Sequence, residues 1–125
     1  MAFGIEGSAT LAGRPLFRDL DLQLAPGWTC LLGPSGAGKS TILRLLAGLP
    51  TAARFEGRIS APPRIAWMAQ QDLLQERANL LGNVLIGQRL SGAPLDEGRA
   101  RALLAAVGLE GLEARRPASL SGGQR

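Results

Sequence analysis

Strand-like and helix-like stretches alternate along this chain, which predicts an α/β fold, and three consecutive segments carry most of that prediction. Trp28-Thr29-Cys30-Leu31-Leu32 is a short continuous apolar run of the kind that forms a buried strand. Gly33-Pro34-Ser35-Gly36-Ala37-Gly38-Lys39-Ser40-Thr41 follows it and fits the pattern G-x-x-x-x-G-K-[ST] at every fixed position. Ile42-Leu43-Arg44-Leu45-Leu46-Ala47-Gly48-Leu49 is strongly helix-forming. Strand, glycine-rich loop and helix thus come in the order a phosphate-binding loop requires. Glycines let the backbone N–H groups approach phosphate oxygens, and the helix N-terminus turns its partial positive charge on them. Lys39 offers a compact ammonium to the β- and γ-phosphates of a nucleotide, and the Ser40 hydroxyl is placed to ligate Mg²⁺. All of the 14 basic residues are arginine except Lys39, so the composition bias yields at the one place where a point charge is needed.

The remaining elements follow in order. Phe3, Ile5, Ala9 and Leu11 fall on alternate positions of a half-buried strand, which Gly13-Arg14-Pro15 turns. Leu20, Leu22 and Leu24 alternate with Asp19, Asp21 and Gln23, giving a second strand expected to form an antiparallel hairpin with the first. Pro26-Gly27 is the pair favoured at the centre of a type II turn. The helix after the loop is expected to bury Ile42, Leu45, Leu46 and Leu49 and to stop at Gly48 and Pro50. Thr51 to Pro63 reads as a loop with a short edge strand near Gly57-Arg58-Ile59, since Pro62-Pro63 cannot sit inside a sheet. Ile65-Ala66-Trp67-Met68-Ala69 reads as a further strand, ending at two amides, Gln70 and Gln71. Leu81, Val84 and Leu85 share a face of one helix, and Ala100, Leu103, Leu104 and Val107 a face of another, with Ser91-Gly92-Ala93-Pro94 between them. Asp96 and Glu97 lie in the first turn of the latter, and Gly108 is placed to end it.

Composition bounds the function classes. A length of 125 residues, 46% hydrophobic and 19% charged, is that of one ordinary globular domain. No apolar run has the length of a membrane span and no leader pattern opens the chain, so a cytoplasmic location is expected. Lone Cys30, inside a predicted strand, is expected to be a small buried hydrophobe. The absence of histidine excludes His-based catalysis and His-ligated zinc within the chain. The net charge of +4 is scattered over arginines and indicates no nucleic-acid partner.

Leu120-Ser121-Gly122-Gly123-Gln124-Arg125 is a second glycine-rich motif. Leu-Ser-Gly-Gly-Gln is the signature of the ATP-binding-cassette (ABC) family, and with the phosphate loop upstream the chain resembles that family's nucleotide-binding subunits over essentially its whole length. The resemblance implies a P-loop NTPase (RecA-like) core with an antiparallel β subdomain and a helical subdomain, the C-terminal part of the core missing. Residues 1–70 would be the β subdomain and loop core, 71–119 the helical subdomain and 120–125 the signature. It implies an ATPase subunit coupling ATP binding and hydrolysis to solute transport, import because no membrane domain is fused. ATP and Mg²⁺ would be held by Gly33 to Thr41, with Ser40 and Gln70 on the metal and Gln70 also sensing water; Asn83-Val84 lies at the family's step downstream of Gln70 and favours it over Gln71. In a head-to-tail dimer, Ser121, Gly122, Gly123 and Gln124 would complete the site of the second subunit, and the segment from Gln71 to Gly82 would meet the transmembrane permease at the inner face of the membrane.

Two departures qualify the resemblance. Leu11 stands where the family has an aromatic to stack on adenine, and Phe17 lies further along the strand. The aspartate–glutamate pair and the switch histidine that follow the signature in the family are not in this sequence, so the chain is expected to be the N-terminal part of a longer subunit and to bind nucleotide with little hydrolysis. Other readings of the loop are a small-molecule P-loop kinase, against which the signature speaks, an ABC-type ATPase of DNA repair or chromosome structure, which would show long heptad coiled coils, and an inactive fragment.

Overall fold

The computed structural model describes residues 3–125, which form two compact units, one ending at Trp67 and one running from Met68 to Arg125. In the first unit, β1 (Phe3–Leu11) and β2 (Arg14–Leu24) make the expected antiparallel hairpin. β3 (Arg54–Ser60) joins the other edge of β1, also antiparallel, giving the order β2-β1-β3. The hairpin turns at Ala12-Gly13, both with positive φ (50° and 76°), the left-handed pair that a two-residue connection between right-twisted strands requires. The turn therefore falls one step earlier than Gly13-Arg14-Pro15. Arg14 and Pro15 already belong to β2, an edge strand where a missing N–H is tolerated.

Alternation puts Ile5 and Ala9 of β1 in the interior, beside Leu20, Leu22 and Leu24 of β2 and Phe55 of β3. Leu11, at the end of the same row, is 41% exposed. Helix α1 (Lys39–Leu46) lays Ile42 and Leu46 against Ile5, with Leu45 packed beside them and Leu49 half-buried. It stops where the sequence places the stop. Gly48 takes φ 66°, its N–H donates to the Leu45 carbonyl at 3.1 Å, and the Leu49 N–H donates to that of Arg44 at 2.8 Å, which satisfies two of the carbonyls left free at the helix end.

Two expected strands are absent. Neither Trp28 to Leu32 nor Ile65 to Ala69 joins a ladder among the described residues, and Trp28, Leu32 and Met68 are almost fully exposed. An apolar run is a strand only when neighbours take its N–H and C=O groups, and here the three paired strands pair only with one another. Cys30 is accordingly an exposed free thiol, not a buried hydrophobe.

In the second unit the first expected helix is two short ones, α2 (Leu80–Val84) and α3 (Ile86–Ser91), which meet at Leu85; Gly82 and Gly87 weaken the helical preference of each. Gly92 closes α3 at φ 69°, and α4 (Glu97–Ala106) follows. Asp96 is the cap of α4 and not part of its first turn: its carboxylate accepts the Arg99 N–H at 2.8 Å. Gly108 ends α4 as expected, at φ 77°. The expected faces hold in part. Leu85, Ala100 and Leu104 are interior as expected, joined by Leu80, whereas Val84, Leu103 and Val107 are exposed. Among the described residues no helix is long and apolar enough to cross a membrane.

Gly7 and Gly57 face each other across β1 and β3, and a Cβ on Gly57 would stand 2.0 Å from the Glu6 carbonyl oxygen. Gly57→Ala is expected to cost about 2 kcal/mol in denaturant unfolding, because two backbones must separate to admit it. Gly87→Ala, inside α3 with open space around it, should stabilise by about 0.5–1 kcal/mol in the same measurement.

Candidate functional site

The loop from Gly33 to Thr41 is shaped by its own residues and supported by β2. Gly36 and Gly38 take φ of 81° and 91°, and the Ala37 N–H donates to the Pro34 carbonyl at 3.3 Å. The Lys39 ammonium reaches back across the loop and donates to the carbonyls of Gly33 (2.8 Å) and Pro34 (2.6 Å), so the charge predicted for phosphate contact stands inside the loop. The Ile42 N–H is the first in α1 to find its helical acceptor, Gly38 O at 2.9 Å. The amides of Gly36, Gly38, Lys39, Ser40 and Thr41 find no acceptor among the described residues. Unpaired amides at a helix start, an ammonium and an exposed Ser40 hydroxyl form a donor set that fits a phosphate chain with a hydroxyl left for a divalent cation.

Sequence reasoning missed what holds this loop up. The β1–β2 register slips twice, between Gly7 and Ala9 and between Ala9 and Thr10, with the extra residues on β2. Asp19, at φ 47°, sits at the first slip with its N–H donating to Ser8 Oγ at 2.9 Å. These bulges bring Leu16 and Phe17 under the loop, where a Cβ on Gly38 would meet Leu16 Cγ at 3.0 Å and Phe17 Cδ1 at 3.3 Å. Leu11 and Leu16 line one pocket of about 240 Å³ together with Ser35, Gly36 and the residues from Gly38 to Thr41. Leu11, predicted beside the nucleotide, is therefore at the loop, and Leu16 is the apolar neighbour that no local signal disclosed.

The other predicted residues lie in the second unit. Gln70 is exposed in a bend, as is Gln71. Asn83, used as a downstream marker, proves to be a clamp: its Oδ1 accepts the Gln75 N–H at 2.7 Å, and its Nδ2 donates to the carbonyls of Gln75 (3.2 Å), Ala78 (3.3 Å) and Asn79 (3.0 Å). Asn79 caps α2 by accepting the Gly82 N–H at 2.8 Å, and the N–H groups of Leu80 and Leu81 donate to the carbonyls of Arg115 (2.8 Å) and Glu113 (3.1 Å). The Glu113 carboxyl is held below its ordinary range by N–H groups of Glu113 itself and Gly111.

The Leu-Ser-Gly-Gly-Gln stretch is a turn with a buried root. Leu120 packs with Leu80 and Leu104, and Pro117 just before it is fully buried. Gly122–Gln124 forms a single 3₁₀ turn. The Ser121 hydroxyl accepts the Gln124 N–H, and Gln124 Oε1 accepts the Ser121 N–H at 3.0 Å. Gly122 and Gly123 have nothing near a notional Cβ. The polar part of the motif is thus open while its leucine fixes where it stands.

A model of the ABC transporter family matches residues 17–125, which include both glycine-rich motifs and nearly all of the described structure. The chain belongs to the ABC transporter family. The family implies a P-loop NTPase fold, and the structure shows a small antiparallel sheet together with helices. An aliphatic sulfonates import ATP-binding protein of Streptomyces avermitilis is 42% identical over 116 residues, covering 92% of this chain and 45% of the relative. An uncharacterized ABC transporter ATP-binding protein of Haemophilus influenzae is 39% identical over 123 residues, covering 94% and 51%. A taurine import ATP-binding protein of Pseudomonas aeruginosa is 41% identical over 121 residues, covering 90% and 46%. The chain spans about half the length of these curated relatives.

The clamp makes a measurable claim about this ABC chain. Asn83→Ala removes one accepted and three donated hydrogen bonds, and is expected to cost about 2 kcal/mol and to release the Gln75 amide to fast hydrogen exchange. Unchanged protection of Gln75 would show that the loop is held by other means.

Proposed function

We propose that the protein is the ATP-binding subunit of an ABC importer and that the two motifs act on opposite sides of one ATP bound between two subunits. The observation that carries this reading is the row of unpaired amides at Gly36 and from Gly38 to Thr41, with the Lys39 ammonium among them, in a chain of the ABC family. Residues 33–41 hold the triphosphate of ATP; phosphate oxygens take the free amides and compete with the Gly33 and Pro34 carbonyls for Lys39. Ser40 and Gln70 hold Mg²⁺, which neutralises phosphate charge when bound. Leu11 and Leu16 give the base apolar contact in place of an aromatic stack.

Residues 1–70 serve as the β subdomain and loop core, 71–119 as the helical subdomain and 120–125 as the signature. A second copy of the subunit, head to tail, presents Ser121, Gly122, Gly123 and Gln124 to the γ-phosphate, which suits a turn whose residues are all exposed. Residues 71–82 rest on the permease at the cytoplasmic face of the membrane; the clamped loop and exposed Leu73 within that segment supply a fixed apolar contact. Support for import comes from relatives named for sulfonates and for taurine, which share the words import and ATP-binding.

Isothermal calorimetry on the full-length subunit tests the reading. Wild type is expected to bind Mg-ATP saturably, and Lys39→Ala to lose about two orders of magnitude in affinity, the size of effect expected when a charge-assisted contact to phosphate is removed. Solute uptake by the assembled transporter should fall with it, and undiminished uptake in the variant would refute the proposal.

A further inference from the structure

The signature turn and the 72–79 loop are joined by one side chain. The Arg125 guanidinium donates through Nη2 to Glu76 Oε1 at 2.6 Å and stands with Nε 3.2 Å from Asp72 Oδ2. The Arg125 side chain is 30% exposed, and hydrogen bonding to Glu76 strengthens its hold on the proton. One planar fork thus engages two carboxylates in two directions, a geometry that an ammonium cannot reproduce. The backbone of the same residue is locked into the signature: the N–H groups of Gln124 and Arg125 both donate to the Ser121 carbonyl, at 3.0 and 3.2 Å. At the far end, the loop between Asp72 and Glu76 is continuous with the stretch that Asn83 clamps at Gln75, Ala78 and Asn79. Neither end has slack. A displacement of the signature turn is therefore delivered to the loop through the guanidinium, or breaks it free.

We propose that Arg125 is a positioning residue that couples the signature turn to the 72–79 loop, so that nucleotide capture by the turn is reported to the permease that rests on the loop. This rests on the reading of Ser121 to Gln124 as a nucleotide-contacting turn and of the loop as part of the permease contact. Partly exposed ion pairs add little to folding stability, so the cluster of one cation and two anions sets geometry more than it holds the fold. Loss of the link should leave the protein folded and binding nucleotide, with its two ends no longer moving together.

Hydrogen exchange of the full-length subunit, with and without Mg-AMP-PNP, reads all three segments at once. Wild type is expected to change at 33–41, at 120–125 and at 72–79, the last by about fivefold or more in exchange rate, the lower end of ordinary coupling between sites. Arg125→Ala should keep the first two responses and lose the third. The double variant Asp72→Asn/Glu76→Gln, which leaves the signature untouched and decides the matter if Arg125→Ala does not fold, should lose the same response, and combining all three changes should add nothing. A response at 72–79 that persists in the carboxylate variant overturns the proposal, as does a wild type that responds at 33–41 and 120–125 alone. A wild type with no response at 33–41 overturns the nucleotide-binding reading itself, a different and recognisable failure.

Discussion

Backbone amides without acceptors are costly to keep in a folded chain unless water or a ligand takes them, and those of Gly36 and from Gly38 to Thr41, which find none among the described residues, set the terms for the first unit. A loop that must keep its donors free cannot stabilise itself with them. Its fixity comes from outside: α1 is seated on Ile5 through Ile42 and Leu46, Leu16 and Phe17 stand under Gly38, and Lys39 ties the loop's start to the helix. The slips in the β1–β2 register belong to the same arrangement, because a regular hairpin would have sent Leu16 and Phe17 along the sheet instead of toward the loop.

The second unit solves a related problem with different groups. Ser121 to Gln124 are exposed and polar, yet held in place within five residues: Leu120 is buried among Leu80 and Leu104 while Ser121 and Gln124 bond each other at the surface. The short helices around them cannot cap themselves fully, so α2 borrows carbonyls from Glu113 and Arg115. That borrowing binds the stretch before the signature to the start of α2, and Arg125 binds the stretch after it to Asp72 and Glu76. Polar bonds of this kind add little stability each, but they are directional and fix the orientation of the groups they join.

Much of this was legible in the chain. The helix after the glycine-rich loop, the hairpin and the stops at Gly48 and Gly108 all follow from spacing and from residues with few conformational alternatives. Other features were not. Trp28 to Leu32 and Ile65 to Ala69 have strand composition but no ladder, because pairing depends on a neighbour that composition does not name. Spacing groups Val84 with Leu81 and Leu85, and Leu103 and Val107 with Ala100 and Leu104, yet Val84, Leu103 and Val107 are exposed, since the interior is taken by Leu80, Leu85, Ala100 and Leu104.

What the sequence by itself determined was the local chemistry: a lysine after three glycines, a serine beside it, a glycine pair after Leu-Ser, and the family to which their combination belongs. Local chemistry is legible because φ, charge and hydrogen-bonding capacity are properties of single residues and near neighbours. Only the tertiary structure decided that Leu16 joins Leu11 at the loop, that Asn83 clamps residues 75–79 and that Arg125 reaches Asp72 and Glu76. Those pairings join positions far apart in the chain, and they are fixed by register, bulges and packing, which no window of sequence contains.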